Sequence, residues 1–116
     1  MGYFKNLVVW NKSMELVMET YGICKKLPVE ERYCLSDQMR RSAVSIPSNI
    51  AEGQSRGSDK EFVRFLLIAR GSNAELETQI LICIQMNYIS EEESKKALEL
   101  IGEIGKMLSN MIKNLS

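Results

Sequence analysis

The residues best suited to chemistry here are basic. Arg56, Lys60 and Arg64 follow one another at four-residue spacing, across a loop and the opening turn of a helix that starts at Ser58. With Arg41 upstream, such a set can hold phosphate, and the positive end of the helix dipole would add to the attraction. The same residues fit a solvated helix start equally well. A second set, Arg70, Asn73 and Glu77, stands at i, i+3, i+7 and therefore on one line of a helix. On a helical wheel it falls within a broad apolar arc. Buried charge must be paired and hydrogen-bonded, so Arg70 and Glu77 are expected to neutralise each other through Asn73 or through a neighbouring helix. Arg41, Ser45, Ser48 and Glu52 form a matching line at i, i+4, i+7, i+11 on the preceding helix. It is either a face that another helix approaches closely or a solvated one. Arg70, Asn73, Glu77, Ser45 and Glu52 are thus the candidates for a buried polar network that sets helix register.

Catalysis has little raw material. With no histidine in the chain, a general base near neutral pH would have to be a strongly shifted carboxylate or lysine. Glu52 and Glu77 are the only nominees, and neither belongs to a paired motif. A GxxxxGK[ST] phosphate cradle is missing, and the Glu-x-x-His pattern of diiron bundles is impossible. Cys24, Cys34 and Cys83 are odd in number, far apart and without a CxxC pair, which removes a disulfide framework and a zinc site. All three are expected as small buried hydrophobes. The expectation is a protein that is not an enzyme and holds no metal and no cofactor.

Length and composition set the frame. At 116 residues, residues 1–116 make one domain. The 45% hydrophobic and 26% charged content fits an ordinary folded chain and argues against disorder. Fifteen basic and fifteen acidic residues cancel, unlike a dedicated nucleic-acid binder, whose pI would exceed about 9. The charge is uneven, however. Arg40, Arg41, Arg56, Lys60, Arg64 and Arg70 outweigh Glu52, Asp59 and Glu61, a net of +3. From Glu75 onward, Glu75, Glu77, Glu91, Glu92, Glu93, Glu99 and Glu103 outweigh Lys95, Lys96, Lys106 and Lys113, a net of −3. The longest apolar runs, Phe65–Ala69 and Ile80–Ile84, fall far short of the roughly 20 residues that span a bilayer. The opening residues lack a signal-peptide pattern, and Gly2 is followed by Asn6 where myristoylation prefers Ser or Thr. A cytoplasmic protein without a membrane partner is expected.

The elements that must position these residues are helical. Apolar periodicity gives helices at about 7–26, 37–55, 59–87 and 91–114, and no strand signal survives six residues. In the first, Trp10, Met14, Val17, Tyr21 and Cys24 share one face. Ser36 is expected to cap the second, whose core stripe is Met39, Ala43, Ile46 and Ile50. Pro47 lies within that stripe, so a kink is expected there instead of a break. Ser58 with Glu61, and Ser90 with Glu93, read as capping boxes for the third and fourth. The fourth presents Ala97, Ile101, Ile104, Leu108, Met111 and Leu115. Four such helices on short links bury their stripes as an all-α, up-down-up-down four-helix bundle with a kinked second helix. The third helix is apolar well beyond the arc of about 100° that a bundle helix needs. Besides Phe62, Leu66, Ala69, Leu76, Ile80 and Cys83 it carries Val63, Leu67, Ala74, Leu81 and Ile84, with Ile68, Ile82 and Met86 on its far side. Surplus of that kind points to another chain; the plain alternative is a helix central to its own bundle.

The stretch Arg40-Arg41-Ser42-Ala43-Val44-Ser45-Ile46-Pro47-Ser48-Asn49-Ile50-Ala51-Glu52-Gly53, then Arg56, then Ala69-Arg70-Gly71-Ser72-Asn73-Ala74-Glu75-Leu76-Glu77-Thr78-Gln79, resembles the bacterial four-helix-bundle family known as ribosomal-RNA intervening-sequence proteins. The segment Phe4 to Trp10 is similar too. The resemblance covers essentially the whole chain, and the two segments joined are far more specific than either alone. It implies a bundle that assembles as a ring, commonly a homopentamer, with no enzymatic activity. The family name reflects genes found within large-subunit rRNA genes and does not place the protein on the ribosome. Relatives include accessory proteins of diversity-generating retroelements, which work beside a reverse transcriptase and bind nucleic acid on a basic surface. From this the partners would be further copies of the chain and RNA, DNA or a nucleic-acid enzyme, met by Arg41, Arg56, Lys60 and Arg64. This chain departs from those relatives in being neutral overall. The rival expectation is an oligomeric interaction scaffold with structural arginines. The resemblance places Arg41, Asn49, Glu52, Arg56, Ser72 and Glu77 in the shared motif.

Overall fold

Four helices follow from the pattern: α1 (Val8–Cys24), α2 (Leu35–Ser55), α3 (Asp59–Gln85) and α4 (Glu91–Leu115). Short 3-10 turns, Tyr3–Asn6 and Val29–Glu31, precede α1 and α2. The computed structural model describes residues 3–116, so the expectation about Gly2 lies outside the described residues. Each helix packs antiparallel on the next, and α4 closes against α1, which leaves α1 and α3 on opposite corners of an up-down-up-down bundle.

Local chemistry sets the helix ends. Ser90 and Glu93 form the expected reciprocal cap. The Glu93 N–H donates to the Ser90 hydroxyl at 3.0 Å, and the Ser90 N–H donates to the Glu93 carboxylate at 2.8 Å. That backbone bond, followed by the Lys26 ammonium at 3.0 Å, holds the Glu93 carboxyl below its usual range. Only half of the expected box forms at α3. The Glu61 N–H donates to Ser58 Oγ at 3.2 Å, while the Glu61 carboxylate turns to Arg64 at 3.2 Å. At the far end Asn87 has a φ of 62°, and the Tyr88 N–H reaches back to the Cys83 carbonyl at 2.9 Å to end the helix. The Tyr88 hydroxyl then donates to Glu31 at 2.8 Å, tying two links of the bundle together and pushing the phenol's pKa up.

Ser36 is not the cap of α2. That helix begins at Leu35, with Cys34 at the cap position and no side-chain cap bond. Ser36 is buried inside the first turn, where its carbonyl accepts the Cys24 thiol at 3.6 Å. Helix α2 runs without a break through the buried Pro47.

The core is built from Val9, Leu16 and Ile23 of α1, the expected stripe of α2, and most of the expected stripes of α3 and α4, with Phe62, Met111 and Leu115 only half-buried against it. The face assigned to α1 needs correction. Met14 and Tyr21 are exposed, Trp10 and Val17 half-buried, and Ser13 and Thr20 are fully buried in their stead. Ser13 donates to the Trp10 carbonyl at 2.7 Å and Thr20 to the Leu16 carbonyl at 2.8 Å. With their hydroxyls satisfied inside their own helix, these small residues enter the core without a desolvation penalty. The helix is thereby rotated, and its larger apolar side chains turn outward. Cys34 also departs from expectation, being exposed, while Cys24 and Cys83 are buried. Burial pushes the Cys83 thiol up to about 11 and raises Cys24 less, because Arg40 opposes it.

Candidate interaction surfaces

Helix α2 delivers Arg56 at its end, and the first turns of α3 deliver Lys60 and Arg64, so these three do gather at one end of the bundle. Arg56 and Arg64 both bring their guanidiniums to one ring, each 4.8 Å from the Phe65 centroid. Carboxylates accompany them. Arg56 donates to Glu52 at 2.7 Å and lies 3.9 Å from Glu61, which also takes Arg64 at 3.2 Å. Counting Asp59, three acids stand among three bases, and the local charge is close to balanced. Arg41 is not part of this cluster. Fifteen residues before Arg56 on one helix, it is about 22 Å away at 1.5 Å per residue, and it pairs with Asp37 at 3.0 Å.

Ser45 lies on the seam between α2 and α3. Its hydroxyl bonds the Ser72 hydroxyl at 2.8 Å, and Asn49 donates to the Ser45 carbonyl at 2.8 Å and hydroxyl at 2.9 Å. Further along, Gly53 lets the two backbones close. A Cβ there would sit 2.7 Å from Phe65 Cβ and 3.3 Å from the Phe62 carbonyl oxygen. At the other end of the seam, Gln38, Arg41, Ser42, Ser45, Ser72, Glu75 and Gln79 line a cavity of about 240 Å³. Buried Gln79 has no partner there for its side-chain oxygen.

The expected buried network is not formed within the chain. Of its members only Asn73 is buried; Ser45 is half-buried, and Arg70, Glu77 and Glu52 are exposed. Asn73 donates to the Ile101 carbonyl of α4 at 3.0 Å, while Arg70 reaches Ser109 at 3.5 Å. Arg70, Asn73 and Glu77 do share a surface, one wall of an open groove between α3 and α4 that Gly102 and Gly105 also line. Helix α3 has two apolar arcs, one inward and one outward, which a helical wheel merges. Arg70 and Glu77 occupy the strip between them.

The outward arc is the surplus apolar surface expected of α3. Leu67, Ile68, Leu81, Ile82 and Met86 are all exposed, with Gly71 and Ala74 among them. A Cβ on Gly71 would meet nothing within 4 Å. On the opposite corner α1 exposes Met14, Met18 and Tyr21, at i, i+4, i+7. Sequence reasoning missed this second patch by assigning Met14 and Tyr21 to the core. The signal available was the seven-residue spacing of Ser13 and Thr20, which share a face with Leu16 and Ile23.

Among the described residues no cluster of metal-ligating side chains occurs, and no helix is long and apolar enough to cross a membrane. Residues 5–110 match the family described as 23S rRNA-intervening sequence protein. Among solved structures, the chain is similar to a protein of unknown function from the S23 ribosomal protein family of Bacteroides thetaiotaomicron VPI-5482. The two are 32% identical, with a TM-score of 0.83 over 91% of this chain and 99% of that one. No curated protein matches.

Proposed function

The chain belongs to the 23S rRNA-intervening sequence protein family, and from that premise we propose that it is a non-enzymatic, homo-oligomeric helical scaffold of the cytoplasm. The observation that carries this reading is the outward face of α3. Five large apolar side chains stand exposed along one helix that already buries a full stripe inward. A face of that kind supports a protein partner, and further copies of the chain are the simplest supply. The ring implied by the family resemblance, a homopentamer, would use it five times.

Nucleic-acid contact through Arg56, Lys60 and Arg64 is a second reading, favoured by the two guanidiniums presented around Phe65. Their pairing with Glu52 and Glu61 weakens it, and Arg41 is too distant to join in. An arginine-held scaffold, or one that receives a nucleic-acid enzyme as partner, accounts for the same residues without phosphate.

Light scattering on the purified chain tests the proposal. The mass should be a multiple of 13.2 kDa at micromolar concentration, and Ile82→Glu should reduce it. A wild-type chain that stays monomeric overturns the scaffold reading. Titration with RNA and DNA at low salt decides the second reading. Binding whose logarithm falls steeply with the logarithm of salt supports phosphate contact, and absence of binding removes it.

A further inference from the structure

The two unpartnered apolar patches belong to different helices on opposite corners of the bundle, so one chain cannot cover either with the other. We propose that they are the two halves of one interface: α1 of one protomer docks along α3 of the next copy. This rests on the reading that the chain self-associates and adds which surfaces meet.

Direction supports the pairing. In an up-down-up-down bundle α1 and α3 point the same way. A cyclic operator along the bundle axis preserves helix direction, so it lays α1 of one copy parallel to α3 of its neighbour. Register supports it too. On α1 and the residue just beyond it stand Met18, Tyr21 and Lys25; on α3, at a constant offset of 50 positions, stand Ile68, Gly71 and Glu75. That register sets thioether against Ile68, aromatic ring over glycine, and cation against carboxylate. Among the described residues neither Lys25 nor Glu75 has an ion-pair partner within its own chain.

Gly71 adds an independent argument. Glycine within a helix is unfavourable relative to alanine, and the space above Gly71 is open. Nothing in its own chain needs the missing methyl. A side chain arriving from outside does, and in this register the arrival is Tyr21. Met18, the most exposed member of the α1 patch at 72%, then falls beside Leu67 and Ile68.

An interface made of two different patches is heterologous, and that gives a test which a self-complementary contact fails. Two variants are prepared, Met18→Glu to block the α1 face and Ile68→Glu to block the α3 face where this register sets it against α1. Both positions are exposed, and circular dichroism checks that each variant retains its helices. Each variant alone should run as a monomer of about 13.2 kDa. Mixed, they should form a one-to-one dimer that grows no further, because each retains one intact face. Assembly by Met18→Glu alone, or a mixture that stays monomeric, overturns this interface even when the wild type assembles. A monomeric wild type instead overturns self-association itself. Charge reversal provides the register check. Lys25→Glu and Glu75→Lys should each shift the assembly toward smaller species, and the double variant should recover it. Failure of the double variant to recover overturns the register.

Discussion

Helix α3 presents two sides that follow opposite rules. Toward α2 it pairs Ser72 with Ser45 and lays Phe62 and Phe65 directly on Gly53. Away from the bundle it offers Leu67, Ile68, Leu81, Ile82 and Met86 and nothing in its own chain to cover them. The finished side is tightest at Gly53, which is intolerant of added volume, and leaves only a small cavity at its other end. The exposed side is open even at its centre, where Gly71 has no neighbour. The difference teaches that the segments carrying the family resemblance mainly build the finished seam. The surplus apolar residues flank those segments.

The sharpest way to test that contrast is to truncate one residue on each side. Leu76→Ala, fully buried, should lower unfolding free energy by about 2–5 kcal/mol in urea titration, from lost transfer energy plus a cavity. Ile82→Ala on the outer side should change the stability of the monomer by less than about 0.5 kcal/mol. A similar loss at both positions would break the comparison. Glycines give the next largest effect. Gly53→Ala should cost about 1–3 kcal/mol, because its methyl has nowhere to go against Phe65 and Phe62. Gly71→Ala should stabilise the monomer by about 0.5–1 kcal/mol through helix propensity alone.

Smaller still is the hydroxyl pair on the seam. A double-mutant cycle of Ser45→Ala and Ser72→Ala should show each single change as unfavourable, with a coupling of about 1 kcal/mol. Additive losses would mean that the 2.8 Å contact contributes packing only. The last test reads the buried thiol. Below its ordinary pKa of 9.0, Cys83 is neutral in the folded and unfolded chains alike, and its contribution is fully present. Above that, the unfolded chain ionises first, so stability should fall as pH rises from 9.0 through about 11. Cys83→Ala should remove that part of the decline. At pH 8 a thiol reagent should modify Cys34 quickly, and Cys24 and Cys83 only on unfolding.

Much of this architecture was legible because it depends on short-range chemistry. The Ser90–Glu93 cap, the α4 stripe and the double apolarity of α3 are all written at spacings of three and four. Other features depended on what lies across the bundle. Ser13 and Thr20 look polar in a list of residues; the helices packed over them make them core residues, and bonds to carbonyls one turn back only satisfy their hydroxyls. Arg70 and Glu77 seemed embedded because a wheel merges two apolar arcs into one. The basic cluster was legible as three residues, and its pairs Glu52–Arg56 and Glu61–Arg64 are written at spacings of four and three; only the approach of Arg56 to Glu61 across the loop was not legible. Arg41 was grouped with it by charge, although a stretch of helix keeps it apart.

The diagonal placement of α1 and α3 also bears on how the chain acquires its shape. Among the four α-helices, every packed pair except α1 with α4 consists of neighbours along the chain joined by short links. Docking can therefore proceed as two local hairpins, α1–α2 and α3–α4, with little loop entropy lost before contacts form. Folding should fall in the fast microsecond-to-millisecond regime of helical bundles. Within that order of events, α3 keeps its outer side free throughout. The patch that would join two copies is thus exposed as soon as the second hairpin exists, before the first chain has closed.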